Sequence, residues 1–142
     1  MLEDTLNSAK TVNDMIQEEK QLLLRDLCAR LPYGVRVKQL EPIKELELYL
    51  TSIYKDTVQV ETVTGGIMAC SIEAIKPYLR PMSSMTEEER VEYLSECDED
   101  MNVSALDGRF YGNDWLNAHH FDYRGLIPMG LALEAPKDMY KQ

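Results

Sequence analysis

The sequence predicts an α+β fold in a single domain. Three patterns predict it: helical periodicity near the N-terminus, period-two alternation through the middle of the chain, and a second helical region after residue 83. The chain has 142 residues, 44% hydrophobic and 28% charged, which is typical of one soluble domain with its own core. We divide it into an N-terminal helix (1–34), an antiparallel sheet (35–82) and a C-terminal helical region (83–142).

The first helix is predicted over residues 12–31. Its apolar residues recur at steps of three or four and form one stripe, which comprises Val12, Met15, Ile16, Leu23, Leu27 and Leu31. Thr11 is the expected N-cap, and Cys28 widens the stripe, so we expect its thiol in the core. Pro32 ends the helix because proline lacks an amide hydrogen and clashes with the preceding turn.

Residues 35–72 alternate apolar and polar side chains, which is typical of strands with one face in water. The alternating apolar pairs and runs mark four strands: Val35 and Val37, Leu46 to Leu50, Val58 and Val60, and Ile67 to Ile72. Lys55-Asp56 and Thr64-Gly65-Gly66 lie between consecutive strands where tight turns are expected. The segment therefore predicts an antiparallel meander.

The end of the sheet region contains two prolines. We expect Ile72, Ile75 and Leu79 on one side of a helical turn that Pro77 ends. A fifth strand over 79–82 is expected at a sheet edge, because Pro81 is tolerated only there. Strands, a short helical turn and a last strand resemble the order of a small SH3-like barrel, so we predict either such a barrel of four or five strands or a curled sheet.

Two helices are predicted in the C-terminal region. Thr86 and Glu89 form a capping box for a helix over 86–97, in which Val91 and Leu94 are expected to face inward. A last helix is predicted over 114–121, and Asn113 or Asp114 is its expected cap. Residues Leu131 to Glu134 follow as a short extended segment.

The net charge is −10 and is concentrated in residues 86–142, which contain 13 acidic and 5 basic residues. A nucleic-acid backbone repels such a surface, so nucleic-acid binding is disfavoured. No apolar run is long enough to span a membrane, and the N-terminus does not resemble a secretory signal. The three cysteines are odd in number and widely spaced, which favours reduced thiols in a cytoplasmic protein.

The stretch DWLNAHHFDYRGLI, residues 114–127, contains both histidines of the chain. His119 and His120 are adjacent, and adjacent residues on a helix point about 100° apart, so one face cannot present both to a metal. Asp122 is the carboxylate at a usable step from His119. His119, His120 and Asp122 are therefore the metal candidates that we consider, but a packed histidine pair is favoured, and we predict no metal or cofactor.

No motif in the sequence identifies a catalytic set. Cys97 lies among acidic residues that oppose thiolate formation, and Ser83-Ser84 lacks a nucleophile elbow. The sequence thus favours a non-catalytic protein. A partner surface, for another protein or for self-association, is predicted at Glu88, Glu92, Asp98 and Trp115. Trp115 has two interpretations: docking of the last helix onto the sheet, or half of an oligomer contact.

Three blocks of the sequence carry a resemblance. They are LLLRDLCARLPYGV at 22–35, IKPYLRPMSSMTEEE at 75–89 and DWLNAHHFDYRGLIPMGLALEAP at 114–136. Together they resemble a family of small uncharacterised proteins encoded by gut bacteria and by their phages or mobile elements. The resemblance implies an intracellular, mobile-element origin, and it transfers no activity, cofactor or site residue.

Three functions remain open from the sequence. The first is a non-catalytic binding or accessory protein of a phage or mobile element, since no catalytic set is present and the C-terminal half is acidic. The second is a metal-dependent enzyme that uses His119, His120 and Asp122. The third is an acidic mimic of nucleic acid that occupies a basic host protein.

Overall fold

The computed structural model describes residues 15–40, 47–99 and 111–140, except for the side chains at 97–99 and 111–112. Within these ranges there are three α-helices: α1 (Gln17–Arg30), α2 (Glu87–Glu99) and α3 (Tyr111–Ala118). The six strands in the same ranges are β1 (Arg36–Gln39), β2 (Leu48–Tyr54), β3 (Thr57–Thr62), β4 (Ile67–Ser71), β5 (Ile75–Leu79) and β6 (Leu133–Glu134). The predicted α+β class is confirmed.

The six strands form one sheet in the order β4-β3-β2-β1-β5-β6. Every neighbouring pair is antiparallel except β5 and β6, which are parallel. The meander predicted over residues 35–72 is therefore present, with its turns at Lys55-Asp56 and at 63–66. A register shift between Leu50 and Ser52 leaves Thr51 as a bulge in β2, which increases the local twist of the strand.

The end of the sheet differs from the prediction. Residues Ile72–Ala74 form a 3-10 turn, and the next strand runs over Ile75–Leu79 between β1 and β6, not over 79–82 at an edge. Pro77 lies in the middle of this strand, opposite Val37. The amide of Leu40 donates to the carbonyl of Ala74. In an antiparallel ladder only every second residue bonds to a given neighbour, so the even-numbered residues of β5 bond to β1. The nitrogen of Pro77 therefore points away from β1, toward β6. On that side the pairing with β6 begins only at Tyr78, so the missing amide hydrogen of Pro77 costs the sheet no hydrogen bond.

The inner face of the sheet, α1 and residues of the C-terminal segment enclose the main core. Its fully buried members alternate along the strands and recur along the helix; they include Leu23, Leu27, Val37, Leu48, Val58, Val60, Ile75, Leu79, Leu126 and Leu131. A second, smaller cluster comprises Trp115, Leu116 and Phe121, with Met85, Tyr93 and Tyr123 against it. The second cluster packs α3 against α2.

Helix α1 is shorter than predicted and differs in one core residue. It begins at Gln17 with Ile16 as N-cap, whereas Val12 and the predicted cap Thr11 lie outside the described residues. The amide of Ile16 donates to the side chain of Glu19, which gives this end a local hydrogen bond. Cys28 is exposed, so its predicted place in the core is wrong. Only a narrow stripe of α1 faces the sheet, and position 28 lies outside that stripe.

Helix α2 begins as predicted but presents a different face. The amide of Thr86 donates to Glu89 Oε1 at 2.9 Å, and the amide of Glu89 donates to Thr86 Oγ1 at 3.1 Å, so the capping box is present. Val91 and Leu94, which were expected to face inward, are exposed. Tyr93 instead contacts the second cluster, because α2 packs through one narrow face against α3.

Helix α3 ends three residues earlier than predicted, and Asn113 and Asp114 lie inside it. The amide of Phe121 donates to the carbonyl of Leu116, and the amide of His120 donates to the carbonyl of Asn117. These two bonds form a Schellman motif, with His120 in the left-handed conformation at φ 67° where glycine is usual. Phe121 and Leu116 also meet in the second cluster, which is the apolar contact that accompanies this motif.

No helix in the described part of the chain is long and apolar enough to cross a membrane.

Candidate functional site

The segment 119–127 joins the three main parts of the fold, and we call it the junction. The carbonyl of His120 accepts from the amide of Arg80 at 2.7 Å, and the amide of Asp122 donates to the carbonyl of Arg80 at 2.8 Å. These bonds extend β5 beyond its last residue and attach the junction to the sheet. Phe121 lies between them and is fully buried.

A buried ion network attaches the junction to α1. The side chains of Asp26 and Arg30 are both 0% exposed, and Arg30 Nε donates to Asp26 Oδ2 at 2.7 Å. Arg30 Nη2 donates to Asp26 Oδ1 at 3.1 Å and to the carbonyl of Phe121 at 2.6 Å. Arg124 Nη1 donates to the same Asp26 oxygen at 2.7 Å. Asp26 thus accepts from two guanidinium groups, one of which also fixes the junction backbone.

A second ion pair attaches the residue after β5, which is hydrogen-bonded to the junction, to α2. Arg80 donates two parallel hydrogen bonds of 2.8 Å to the carboxylate of Glu89, and its guanidinium lies 4.1 Å from the centre of the Phe121 ring. The hydrogen bond from Arg80, with help from Thr86, lowers the pKa of Glu89 to about 2. Glu89 is therefore ionised near neutral pH and holds the start of α2 beside the sheet.

The two histidines of the junction pack against different aromatic rings. The imidazole of His119 stacks on Trp115 with ring centres 4.0 Å apart, and that of His120 stacks on Tyr140 at 3.6 Å. Burial, and then the positive charge of Arg30, lower the pKa of His120 to about 4. His120 is therefore neutral near pH 7.

Asp122 acts on the junction backbone. Its Oδ1 accepts from the amide of Leu126 at 2.8 Å, and its Oδ2 accepts from the amide of Ile127 at 2.9 Å. Both oxygens thus stabilise the turn that follows. Within residues 15–40, 47–99 and 111–140 there is no group of three or more His, Cys, Asp or Glu side chains placed to hold a metal ion.

The hydroxyl of Tyr140 bridges two strands of the sheet. It accepts from the amide of Arg36 at 2.8 Å and donates to the carbonyl of Tyr78 at 2.7 Å. The β1–β5 ladder extends only to Val37 and Pro77, so the hydroxyl replaces the next ladder bond. Burial raises the pKa of Tyr140, which keeps the phenol protonated.

A cleft of about 410 Å³ lies between the segments 80–89 and 134–140. The polar groups in its wall include Arg80 and Glu89, which bond to each other, and the Tyr140 hydroxyl, which bridges two strands. Lys137 and Asp138 lie at its exposed rim. Because these polar groups already have hydrogen-bond partners within the chain, the cleft has few free donors or acceptors in its wall for a ligand.

The four residues of the predicted partner surface do not share one environment in the structure. Trp115 is 7% exposed and contacts Tyr93 and Phe121, so its indole packs within the chain. Glu88 and Glu92 are exposed on α2, and the side chain of Asp98 lies outside the described residues. The exposed residues among the described side chains of this helix form one surface, which we call the α2 outer face; it comprises Glu87, Glu88, Arg90, Val91, Glu92, Leu94 and Ser95.

Sequence reasoning did not identify the charged residues that organise the junction. Asp26 and Arg30 lie four residues apart, on the same face of α1 as Leu23 and Leu27. Two charges within an apolar stripe were the available signal, because such charges are buried only when paired. No comparable local signal indicates that Arg124, almost 100 residues later, completes the network.

No protein-family model, curated protein or solved structure matches the chain.

Proposed function

We propose that the protein is a non-catalytic binding protein that holds a basic protein partner against the α2 outer face. The observation that carries the proposal is the exposure of two apolar side chains on an acidic helix: Val91 is 60% exposed and Leu94 is 45% exposed. Large apolar side chains grouped on one exposed face are typical of interaction surfaces.

The geometry of α2 makes these residues neighbours. Val91 and Leu94 are three residues apart, so they lie on adjacent turns of one face. Only the opposite side of the helix, through Glu89 and Tyr93, contacts the rest of the described structure. An apolar patch with an acidic border thus points away from the core.

The charges around this patch define the partner. Glu87, Glu88 and Glu92 are all exposed, and Arg90, also exposed, lies 3.7 Å from Glu87 in a weak surface pair. A partner that presents lysine or arginine around an apolar centre is complementary to this face in both charge and hydrophobicity. An acidic mimic of nucleic acid would bind through charge alone and would not require the exposed Val91 and Leu94. We therefore favour a basic protein partner that also contacts these two apolar side chains.

We further propose that β1 to β5 form a small SH3-like barrel that is open beside β4. The order β4-β3-β2-β1-β5 and the 3-10 turn Ile72–Ala74 between β4 and β5 support this assignment. The bulge at Thr51, which increases the curl of β2, supports it too. The sheet then acts as a scaffold, and binding takes place on the helices attached to it.

The resemblance of the three sequence blocks supports an origin in a phage or mobile element of gut bacteria and action in the cytoplasm. The structure gives those blocks a common location, since Asp26, Arg80 and Phe121 come from the three different blocks and meet around the junction. The blocks therefore share a structural role, and the α2 outer face is the surface that this scaffold presents.

The test is capture of a partner from host cells with matched variants. The double variant Val91→Ser/Leu94→Ser removes the apolar centre, and Glu88→Gln/Glu92→Gln removes two charges. Met129→Ser and Glu18→Gln are controls, because both residues are exposed outside α2, Met129 in the C-terminal segment and Glu18 on α1. We expect both α2 variants to lose a basic protein that the wild type and the controls retain, and we expect high salt to release it.

Two results would overturn the proposal. The first is a partner that the α2 variants and the controls retain equally. The second is substrate turnover by the purified wild type that depends on added metal and disappears in His119→Ala or His120→Ala, which would favour the metal-dependent enzyme instead.

A further inference from the structure

We propose that the protein forms a two-fold symmetric dimer by antiparallel pairing of β4 with the β4 of a second copy. The strand occupies the end of the sheet, and no other strand within the described ranges pairs with its outer side. Unpaired amide and carbonyl groups on an edge strand are a template for another strand. The inference is independent of the proposed partner of α2.

The hydrogen-bond pattern identifies the groups that face outward. The amide of Thr62 donates to the carbonyl of Gly66, and the amide of Ile72 donates to the carbonyl of Asp56. In an antiparallel ladder the residues that bond to one neighbour alternate, so the even-numbered residues 66 to 72 face β3. Ile67, Ala69 and Ser71 therefore direct their backbone groups to the open edge.

Nothing in the side chains of this edge blocks a second strand. Residues 62–72 contain no charged residue and no proline, and they form the longest uncharged run of the chain. Natural edge strands are usually protected by a charge, a proline or a covering element. Ile67 is 61% exposed, and Val63 in the adjoining turn is equally exposed, so the edge is apolar, and no strand of the described segments pairs with its outer side.

The edge is complementary to the same edge of a second copy, because antiparallel pairing about a two-fold axis brings two identical, uncharged strands together. Two chains of net charge −10 repel each other over most of their surfaces, and least where no charged residue is present. A two-fold axis at Ala69 places Ala69 opposite itself and Ile67 opposite Ser71 of the other copy. All three residues of each edge then exchange hydrogen bonds, and two sheets become one continuous sheet.

Analytical ultracentrifugation over a concentration series tests the dimer. We expect the wild type to change from one chain to two as concentration rises. Ala69→Pro removes the central outward amide without removing a bond to β3, and Ala69→Lys places two like charges face to face at the axis. Both variants should stay monomeric, whereas Ser83→Lys, which adds the same charge at an exposed 3-10 turn, should dimerise like the wild type.

Amide hydrogen exchange tests the register. The amides of Ile67, Ala69 and Ser71 should become slower to exchange as the dimer forms, whereas those of Met68 and Cys70 should be protected at every concentration. Circular dichroism shows whether each variant is folded, and Ala69→Lys carries the test if Ala69→Pro does not fold. A wild type that stays one chain at all concentrations, or a dimer that both variants retain, would overturn the proposal.

Discussion

Replacing Asp26 tests whether the buried ion network holds α1 to the junction. In Asp26→Ala, three hydrogen bonds disappear: two from Arg30, at 2.7 and 3.1 Å, and one from Arg124, at 2.7 Å. Arg124 is 21% exposed, so in the variant its guanidinium can turn toward water. Losing the Arg124–Asp26 ion pair should therefore lower the free energy of unfolding by at most about 1 kcal/mol, as for a surface pair. Arg30 is 0% exposed and keeps its charge without a carboxylate.

The main cost therefore comes from Arg30. Removing one partner of a buried pair costs about 3–5 kcal/mol, because the other charge stays buried and uncompensated. Domains of this size are stable by about 5–15 kcal/mol, so Asp26→Ala should remove a large fraction of the free energy of unfolding. Urea denaturation followed by circular dichroism measures that loss as a lower midpoint with an unchanged slope.

Two further variants separate this explanation from simple loss of packing. Arg124→Gln should cost about 1 kcal/mol or less. The double variant Asp26→Leu/Arg30→Met removes both charges and should recover part of the stability lost in Asp26→Ala, because apolar replacements of buried pairs are often neutral or stabilising. The reasoning fails if Asp26→Ala costs less than about 1 kcal/mol, or if the double variant is less stable than Asp26→Ala.

Three further predictions concern His120, Tyr140 and Thr86. The pKa of His120 is about 4 in the folded state, below its unfolded value of 6.5, so the unfolded state binds more protons between these values and stability falls as pH falls through that range. The fall should total about 3 kcal/mol in urea titrations, and His120→Asn, which tolerates the left-handed backbone, should flatten it. Tyr140→Phe should cost about 1–3 kcal/mol and speed hydrogen exchange at the Arg36 amide, which loses its acceptor. Thr86→Ala should cost about 1 kcal/mol by thermal denaturation, through loss of the α2 cap; an unchanged midpoint would contradict the role of Thr86 as the cap.

The acid-induced loss of stability has a second contributor at lower pH. Glu89 has a pKa of about 2 in the folded state, below its ordinary value of 4.5, so its stabilising effect is present above 4.5 and is lost as pH falls toward 2. The His120 transition lies mainly above this window. A titration between pH 4.5 and 6.5 therefore isolates the histidine, and Glu89→Gln should leave that part of the curve unchanged.

The elements with a local signal were predictable from the sequence. The strands β1 to β4 follow from period-two alternation, and their turns follow from Gly65-Gly66 and Lys55-Asp56. The start of α2 follows from Thr86 and Glu89, whose side chains bond to backbone only three residues away. In each case the responsible contacts are close in sequence.

The errors occurred where distant contacts decided the outcome. Val91 and Leu94 were expected in the core, but α2 meets the rest of the fold through Tyr93 instead. Pro77 was expected to end a helical turn, but the sheet accepts it because its nitrogen points away from β1. Helix α3 ends at Ala118 although no glycine follows, because Phe121 has a buried position beside Leu116.

By itself, then, the sequence determined the α+β class, the meander and the acidic C-terminal region, because periodicity, turn residues and charge act over short distances along the chain. Only the tertiary structure decided that Asp26, Arg30 and Arg124 share one buried network, and that the histidines stack on Trp115 and Tyr140. It also decided that Val91 and Leu94 face outward. The physical reason is that the burial of a side chain depends on which distant segment packs against it. The spacing of residues along the chain does not indicate which segment that is.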